Sequence, residues 1–103
     1  MSDSVPVAVA VRWTFLTNHG HVLVCLAIDP DLRIRDLAVQ VGITERAAQG
    51  IVADLVRAGI VSSIRVGRRN RYEIHPDHGL GHPVEADHTI GDLVGLLAHP
   101  PRS

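Results

Sequence analysis

What this chain of 103 residues lacks narrows it before any pattern is read. It has no lysine, so all ten of its basic residues are arginine. Cysteine occurs once, at Cys25, which excludes an internal disulfide and fits a reducing compartment such as the cytoplasm. Aromatic residues are 3% of the chain, only Trp13, Phe15 and Tyr72, so a core must be built from Val, Leu, Ile and Ala. No apolar run approaches the roughly 20 residues that a membrane span needs. The opening MSDSVPVAVAV has no basic stretch ahead of its apolar part, so no signal peptide is expected. Missing as well are a nucleophile elbow, a phosphate-cradling glycine loop and paired carboxylates on rigid elements. Ser62 and Ser63 have no base in view, and neither an enzyme nor a cofactor is expected.

What is present is enough for one folded domain: 46% of the residues are apolar, at a length that supports one core but not two. The net charge of −1 hides an uneven distribution. Between Arg33 and Arg71 stand eight arginines against three acids, while the segments on either side are acidic. An anionic partner is therefore to be sought at the middle of the chain.

Punctuation divides the rest. Residues 1–11 read as a flexible arm and 12–103 as a single domain. A first helix is expected from Asn18, taken as its cap, through HVLVCLAI, and Asp29-Pro30 stops it. Val22, Leu23 and Leu26, with Cys25, make its core face. Leu32-Arg33-Ile34 reads as a short extended stretch, and a second helix runs from Arg35 to Val41, ended by Gly42. Thr44 caps a third helix through Ala58, with Ala48, Ile51, Val52 and Leu55 at helical spacing and Gly59 closing it. Ile60–Val66 and Arg71–Ile74 read as strands around a turn at Gly67–Asn70, where Gly67 and Asn70 supply positive φ. Thr89 and Asp92 then open a last helix through Ala98.

The fold class is thus mainly α with a small β hairpin (α+β), in the element order of a winged helix-turn-helix. Three segments carry a family likeness: LRIRDLAVQVGITERAAQGIVADLVRAGIV, the hairpin VGRRNRYEI, and the terminal HTIGDLVGLL. Together they resemble small one-domain transcriptional regulators of the MarR and ArsR kind. The chain has none of the cysteine pairs of ArsR-type metal sensors, and it is short for the long terminal helices of MarR proteins.

The resemblance implies sequence-specific binding of double-stranded DNA, with helix 44–58 in the major groove and the wing, 67–71, on the backbone or in the minor groove. Opposite the third helix's core face stand Glu45, Arg46, Gln49, Gly50 and Ala53. Arg46 and Gln49, three apart, share a face; arginine can donate two bonds to guanine and glutamine can pair with adenine. Arg68, Arg69 and Arg71 around Asn70 suit phosphates or a narrow minor groove. The candidate DNA contacts are Arg35, Thr44, Glu45, Arg46, Gln49, Gly50, Arg65, Arg68, Arg69, Asn70 and Arg71; Arg33, Arg35 and Arg65 are isolated arginines that add phosphate contacts unless they are solvated or paired with Asp36.

The last helix is apolar along Ile90, Leu93, Val94 and Leu97, with Leu96 beside them. With Trp13 and Phe15 it is expected to form a homodimer interface, which would suit a pseudo-palindromic operator. Two alternatives stay open: a winged helix used as a protein-interaction module, and a metal- or pH-responsive sensor. The second rests on His75, His78, His82 and His88 with Asp77, Glu85 and Asp87, all within residues 75–88. No spacing there repeats a ligand pair on one helix, so no metal site is expected.

Overall fold

The computed structural model describes residues 13–98. The expected arm at 1–11, Arg12 and residues 99–103 lie outside the described residues. Helix α1 (Asn18–Ile28) is capped by Thr17, whose hydroxyl accepts the Gly20 N–H at 3.3 Å. Asn18, expected as the cap, is instead the first helical residue, and its side-chain oxygen lies 3.3 Å from His21 Nδ1. The helix ends at Asp29, because a residue before proline is driven out of helical geometry. Val22, Leu23 and Leu26 are its buried face, and Cys25 packs half-buried beside them.

The stretch Leu32-Arg33-Ile34 forms no strand. Asp29 turns the chain, its carboxylate accepting the Asp31 N–H at 3.1 Å and its carbonyl the Leu32 N–H at 3.3 Å. Helix α2 (Ile34–Val41) follows directly, burying Leu37 and Ala38. Gly42, at φ 86°, lets the chain reverse, and the Ile43 N–H returns to the Ala38 carbonyl. Three residues after α2, helix α3 (Glu45–Arg57) opens on Thr44, whose hydroxyl accepts the Ala47 N–H at 3.0 Å. Ala48, Ile51, Val52 and Leu55 are its buried residues, as their spacing required.

Gly59, at φ 80°, closes α3 with two reversed bonds: Gly59 N–H to the Val56 carbonyl and Ile60 N–H to the Leu55 carbonyl. The chain is thereby aimed into β1 (Val61–Val66), which pairs antiparallel with β2 (Arg69–Ile74) from Val61↔Ile74 to Val66↔Arg69. The turn is therefore the two residues Gly67 and Arg68, shorter than expected. Gly67 has φ 63° and no described non-glycine residue has positive φ, which is the pattern of a type II′ turn. Asn70 accordingly lies within β2, opposite Arg65, and supplies no positive φ. Tyr72 turns its ring into the core, and its N–H bonds the Pro30 carbonyl at 2.9 Å.

After β2 the chain crosses residues 75–88, with one 3₁₀ turn at Pro83–Glu85, to helix α4 (Ile90–Leu97). Thr89 and Asp92 form a reciprocal capping box at its start. The Ile90 and Gly91 N–H groups donate to the His78 and Pro76 carbonyls at 2.8 and 2.9 Å. The architecture is thus α+β, four helices and one hairpin among the described residues, with α1 touching α2, α3, α4 and β2. Leu26, Leu37, Val22 and Val61 are the largest of its fully buried side chains.

At Gly91, α4 lies close against Pro76. A Cβ there would stand 2.9 Å from Pro76 Cβ and 3.0 Å from the Pro76 carbonyl oxygen. Gly91→Ala should destabilise the fold by about 1–3 kcal/mol through overpacking, although alanine is the better helix former. Urea unfolding of the variant beside wild type checks this, and unchanged stability would mean that α4 does not seat on Pro76.

Candidate nucleic-acid interface

The polar side of α3 is divided electrostatically. Near its C-terminal end Asp54 accepts from His19 of α1 at 2.8 Å and pairs with Arg57. The His19 hydrogen bond, helped by the Arg57 charge, holds the Asp54 carboxyl below the usual carboxylate range. The N-terminal half differs. Thr44, Glu45, Arg46, Gln49 and Gly50 are exposed, Ala53 is half-buried, and Arg46 has no carboxylate partner among the described residues. Gly50 is the odd member, because a Cβ added there would meet nothing within 4 Å. A glycine inside a helix costs about 1 kcal/mol relative to alanine, and the fold gets no packing in return.

The hairpin does not hold all its arginines outward. Arg68 sits at the turn, exposed. Arg65 bends back, its Nε donating to the Gly67 carbonyl at 3.2 Å. Arg69 and Arg71 both reach Asp31, in the loop between α1 and α2. Arg69 donates to its carbonyl oxygen, and Arg71 Nη1 lies 3.0 and 3.2 Å from its two carboxylate oxygens. Among the described residues no arginine pairs with Asp36, and the carboxylate that Arg71 meets is Asp31, forty positions away. Between the hairpin and the start of α2 lies a cleft of about 380 Å³, floored by Leu32, Ile34 and Tyr72 and rimmed by Arg33, Arg68, Arg69 and Asn70. Arg33 and Arg35 are exposed, and no side chain caps the first turn of α2.

The histidines of residues 75–88 hold backbone together. His75 sets one ring nitrogen 2.6 Å from the Gly59 carbonyl and the other 2.7 Å from the Ser62 hydroxyl. His78 lies 3.0 Å from the Ala58 carbonyl and 2.7 Å from that of Gly79. His82 accepts the Val84 N–H as the cap of the 3₁₀ turn, and His88 meets Asp92 at 3.2 Å. No group of three potential ligands converges on a metal position among the described residues. The sequence offered no signal that the loop serves the end of α3, because those contacts span 16 and 20 positions. Burial pushes the Cys25 thiol up, which leaves it a packing side chain rather than a reactive thiolate.

The expected interface residues separate into two groups. Ile90 is buried in the chain's own core and Leu93 and Val94 pack against it, so Ile90 is not available to a partner. Outside that core remain Leu97, 42% exposed, Leu96 at 70%, Trp13 at 67% and Phe15 at 92%. The Trp13 and Phe15 rings meet edge to face, with centroids 4.8 Å apart. Leu16, Val24, Cys25, Val41 and Leu97 line an apolar groove nearby. None of the described helices is long and apolar enough to cross a membrane. Comparison with protein-family models and with curated proteins finds no match to this sequence.

Two outcomes follow from the polar ties. His75→Ala and His78→Ala should each cost on the order of 1 kcal/mol of stability in urea unfolding, with no change on adding Zn²⁺ or a chelator; a metal-dependent midpoint would restore the sensor reading. Separately, Asp54 and Asp92 are both depressed, Asp92 chiefly by the Thr89 N–H and then by His88. Depressed carboxyls stabilise fully above their unfolded pKa, about 4, and the contribution is lost as pH falls through the folded values. Asp54→Asn with Asp92→Asn should therefore flatten the acid limb of stability against pH, measured by thermal unfolding from pH 7 to pH 2.

Proposed function

We propose that this protein is a winged helix-turn-helix transcriptional regulator, MarR/ArsR-like, that binds double-stranded DNA in the cytoplasm as a homodimer. On this reading α2 and α3 are the helix-turn-helix, joined by Gly42-Ile43-Thr44, and the β1–β2 hairpin is the wing. The N-terminal half of α3 enters the major groove, where Arg46 and Gln49 read base edges and Thr44 and Glu45 flank them. Arg68 meets the backbone or the minor groove, with Arg35, Arg65, Arg69, Asn70 and Arg71 around it.

The observation that carries the reading is Gly50. An exposed glycine with empty space beside it weakens the helix and serves no contact within the chain. It leaves room for another surface to approach the backbone closely, as a groove wall does; Gly95 of α4 is as open, and Gly50 differs in standing on the face that carries Arg46 and Gln49. The dimer rests on Leu96, Leu97, Trp13 and Phe15, exposed apolar side chains that suit a two-fold partner and a pseudo-palindromic site. The sequence showed no base near Ser62, but the fold sets His75 beside its hydroxyl. We read that contact as a tie between β1 and the loop after β2, and no catalytic step and no cofactor enter the proposal.

Gly50→Ala separates this reading from an ordinary surface helix. The variant should be more stable by about 0.5–1 kcal/mol yet bind its operator more weakly. Arg46→Ala or Gln49→Ala should relax preference at one or two base pairs, each worth roughly 1–3 kcal/mol, whereas Arg68→Ala should weaken all sequences alike and lower the salt slope by about one. Selection from a random duplex pool, followed by anisotropy titrations at several salt concentrations, measures all three. Retention of a protein and of no duplex, at any salt, would favour the interaction-module reading.

A further inference from the structure

The paired arginines of the hairpin carry more than a contact list. Asp31 stands in a turn whose backbone is held in place: its N–H is tied to the Asp29 carboxylate, the next N–H to the Asp29 carbonyl, and the preceding Pro30 carbonyl to Tyr72. Tyr72 is itself buried, so this turn is anchored to the core independently of any arginine. Arg71 sets its Nη1 within reach of both carboxylate oxygens, and Arg69 donates to the carbonyl of the same residue. Asp31 thus presents to the hairpin the kind of acceptor that a phosphate would present: an anion with two oxygens in reach of one guanidinium. Alongside lies the cleft rimmed by Arg33, Arg68 and Arg69, whose described lining contains no carboxylate.

We propose that Asp31 is an internal stand-in for phosphate, which holds Arg71 when no polyanion is bound and yields it when a phosphate group docks on the hairpin, beside the cleft that Arg33, Arg68 and Arg69 line. The Arg71–Asp31 pair is half-exposed on both sides, and such pairs are weak enough for a polyanion to displace. The exchange sets a threshold. Isolated anions compete poorly with a carboxylate already in place, while a polynucleotide, presenting several phosphates at once, outcompetes it. For DNA this rests on the function proposed above. The same chemistry would serve a free polyphosphate, and the two sources are distinguished by the probes used.

The test compares wild type, Asp31→Asn, Arg71→Ala and the double variant, each first shown to be folded by its thermal transition. Asparagine keeps the backbone ties of the turn and removes only the charge. With a random-sequence duplex, Asp31→Asn should bind on the order of fivefold tighter than wild type, with a salt slope steeper by about one. The gain should vanish when Arg71 is alanine. With inorganic tripolyphosphate, followed by side-chain NMR of the arginines, Asp31→Asn should again bind more tightly, and in wild type the Arg71 resonance should shift on addition.

Unchanged or weaker binding of both probes by Asp31→Asn would overturn the proposal and make Asp31 a brace for the hairpin. A gain that persists without Arg71 would overturn it too. If wild type and Asp31→Asn ignore DNA but differ on tripolyphosphate, the DNA reading fails while the exchange stands. If neither protein binds either probe, both fall.

Discussion

Where α3 ends, the backbone carbonyls of its last turn and of the two residues beyond need partners outside the helix, and the way they are satisfied sets much of the remaining geometry. Glycine at position 59 lets the backbone turn back, so the next two N–H groups close on Val56 and Leu55. The Ala58 and Gly59 carbonyls are taken by His78 and His75, which come from beyond the hairpin. One knot thus aims β1 away from α3 and brings the chain back after β2. It also delivers the Pro76 and His78 carbonyls to the first N–H groups of α4. The hairpin has its place because both of its ends are fixed here, not because two six-residue strands are stable alone.

Economy of material explains the core. With three rings in the whole chain, and Trp13 and Phe15 outside the core, Tyr72 is the single aromatic residue buried among the described residues. Short aliphatic side chains fill the rest, and they demand close approach of helices. Ala38 and Ala48 on α2 and α3 and Gly91 on α4 are the places where that approach is visible. Other large apolar side chains stay outside that core, Val39 and Val84 as well as Leu96, Leu97, Trp13 and Phe15.

What the sequence made legible was local. The spacing of Ala48, Ile51, Val52 and Leu55, the Thr44 cap, the glycine at 42 and the Thr89–Asp92 box each act within one or two helical turns, and each is found as expected. The expectation for Leu32–Ile34 erred because two apolar residues around an arginine look extended, while the preceding Asp29 had already committed the chain to a turn. Asn70 was read as a turn residue from its type, when Gly67 alone satisfies a two-residue turn. The candidate site was least legible where charge is concerned. Eight arginines are visible between Arg33 and Arg71; the i,i+3 pair of Asp54 with Arg57 lies within α3, but Asp31 is brought to Arg69 and Arg71 only by tertiary structure.

The outer edge of β2 has one more consequence. Among the described residues, a single backbone bond, Tyr72 to Pro30, joins that edge to the rest of the chain, and the strand otherwise presents peptide groups along an open side. Open edges invite pairing with other strands, and folded proteins commonly protect them with short length and charge. Here Arg69 and Arg71 lie along the strand, and Ile64 and Val66 sit opposite them on β1 with part of their apolar surface uncovered. The two arginines therefore guard colloidal behaviour as well as any partner: a chain without them would present a bare, partly apolar ribbon, prone to self-association.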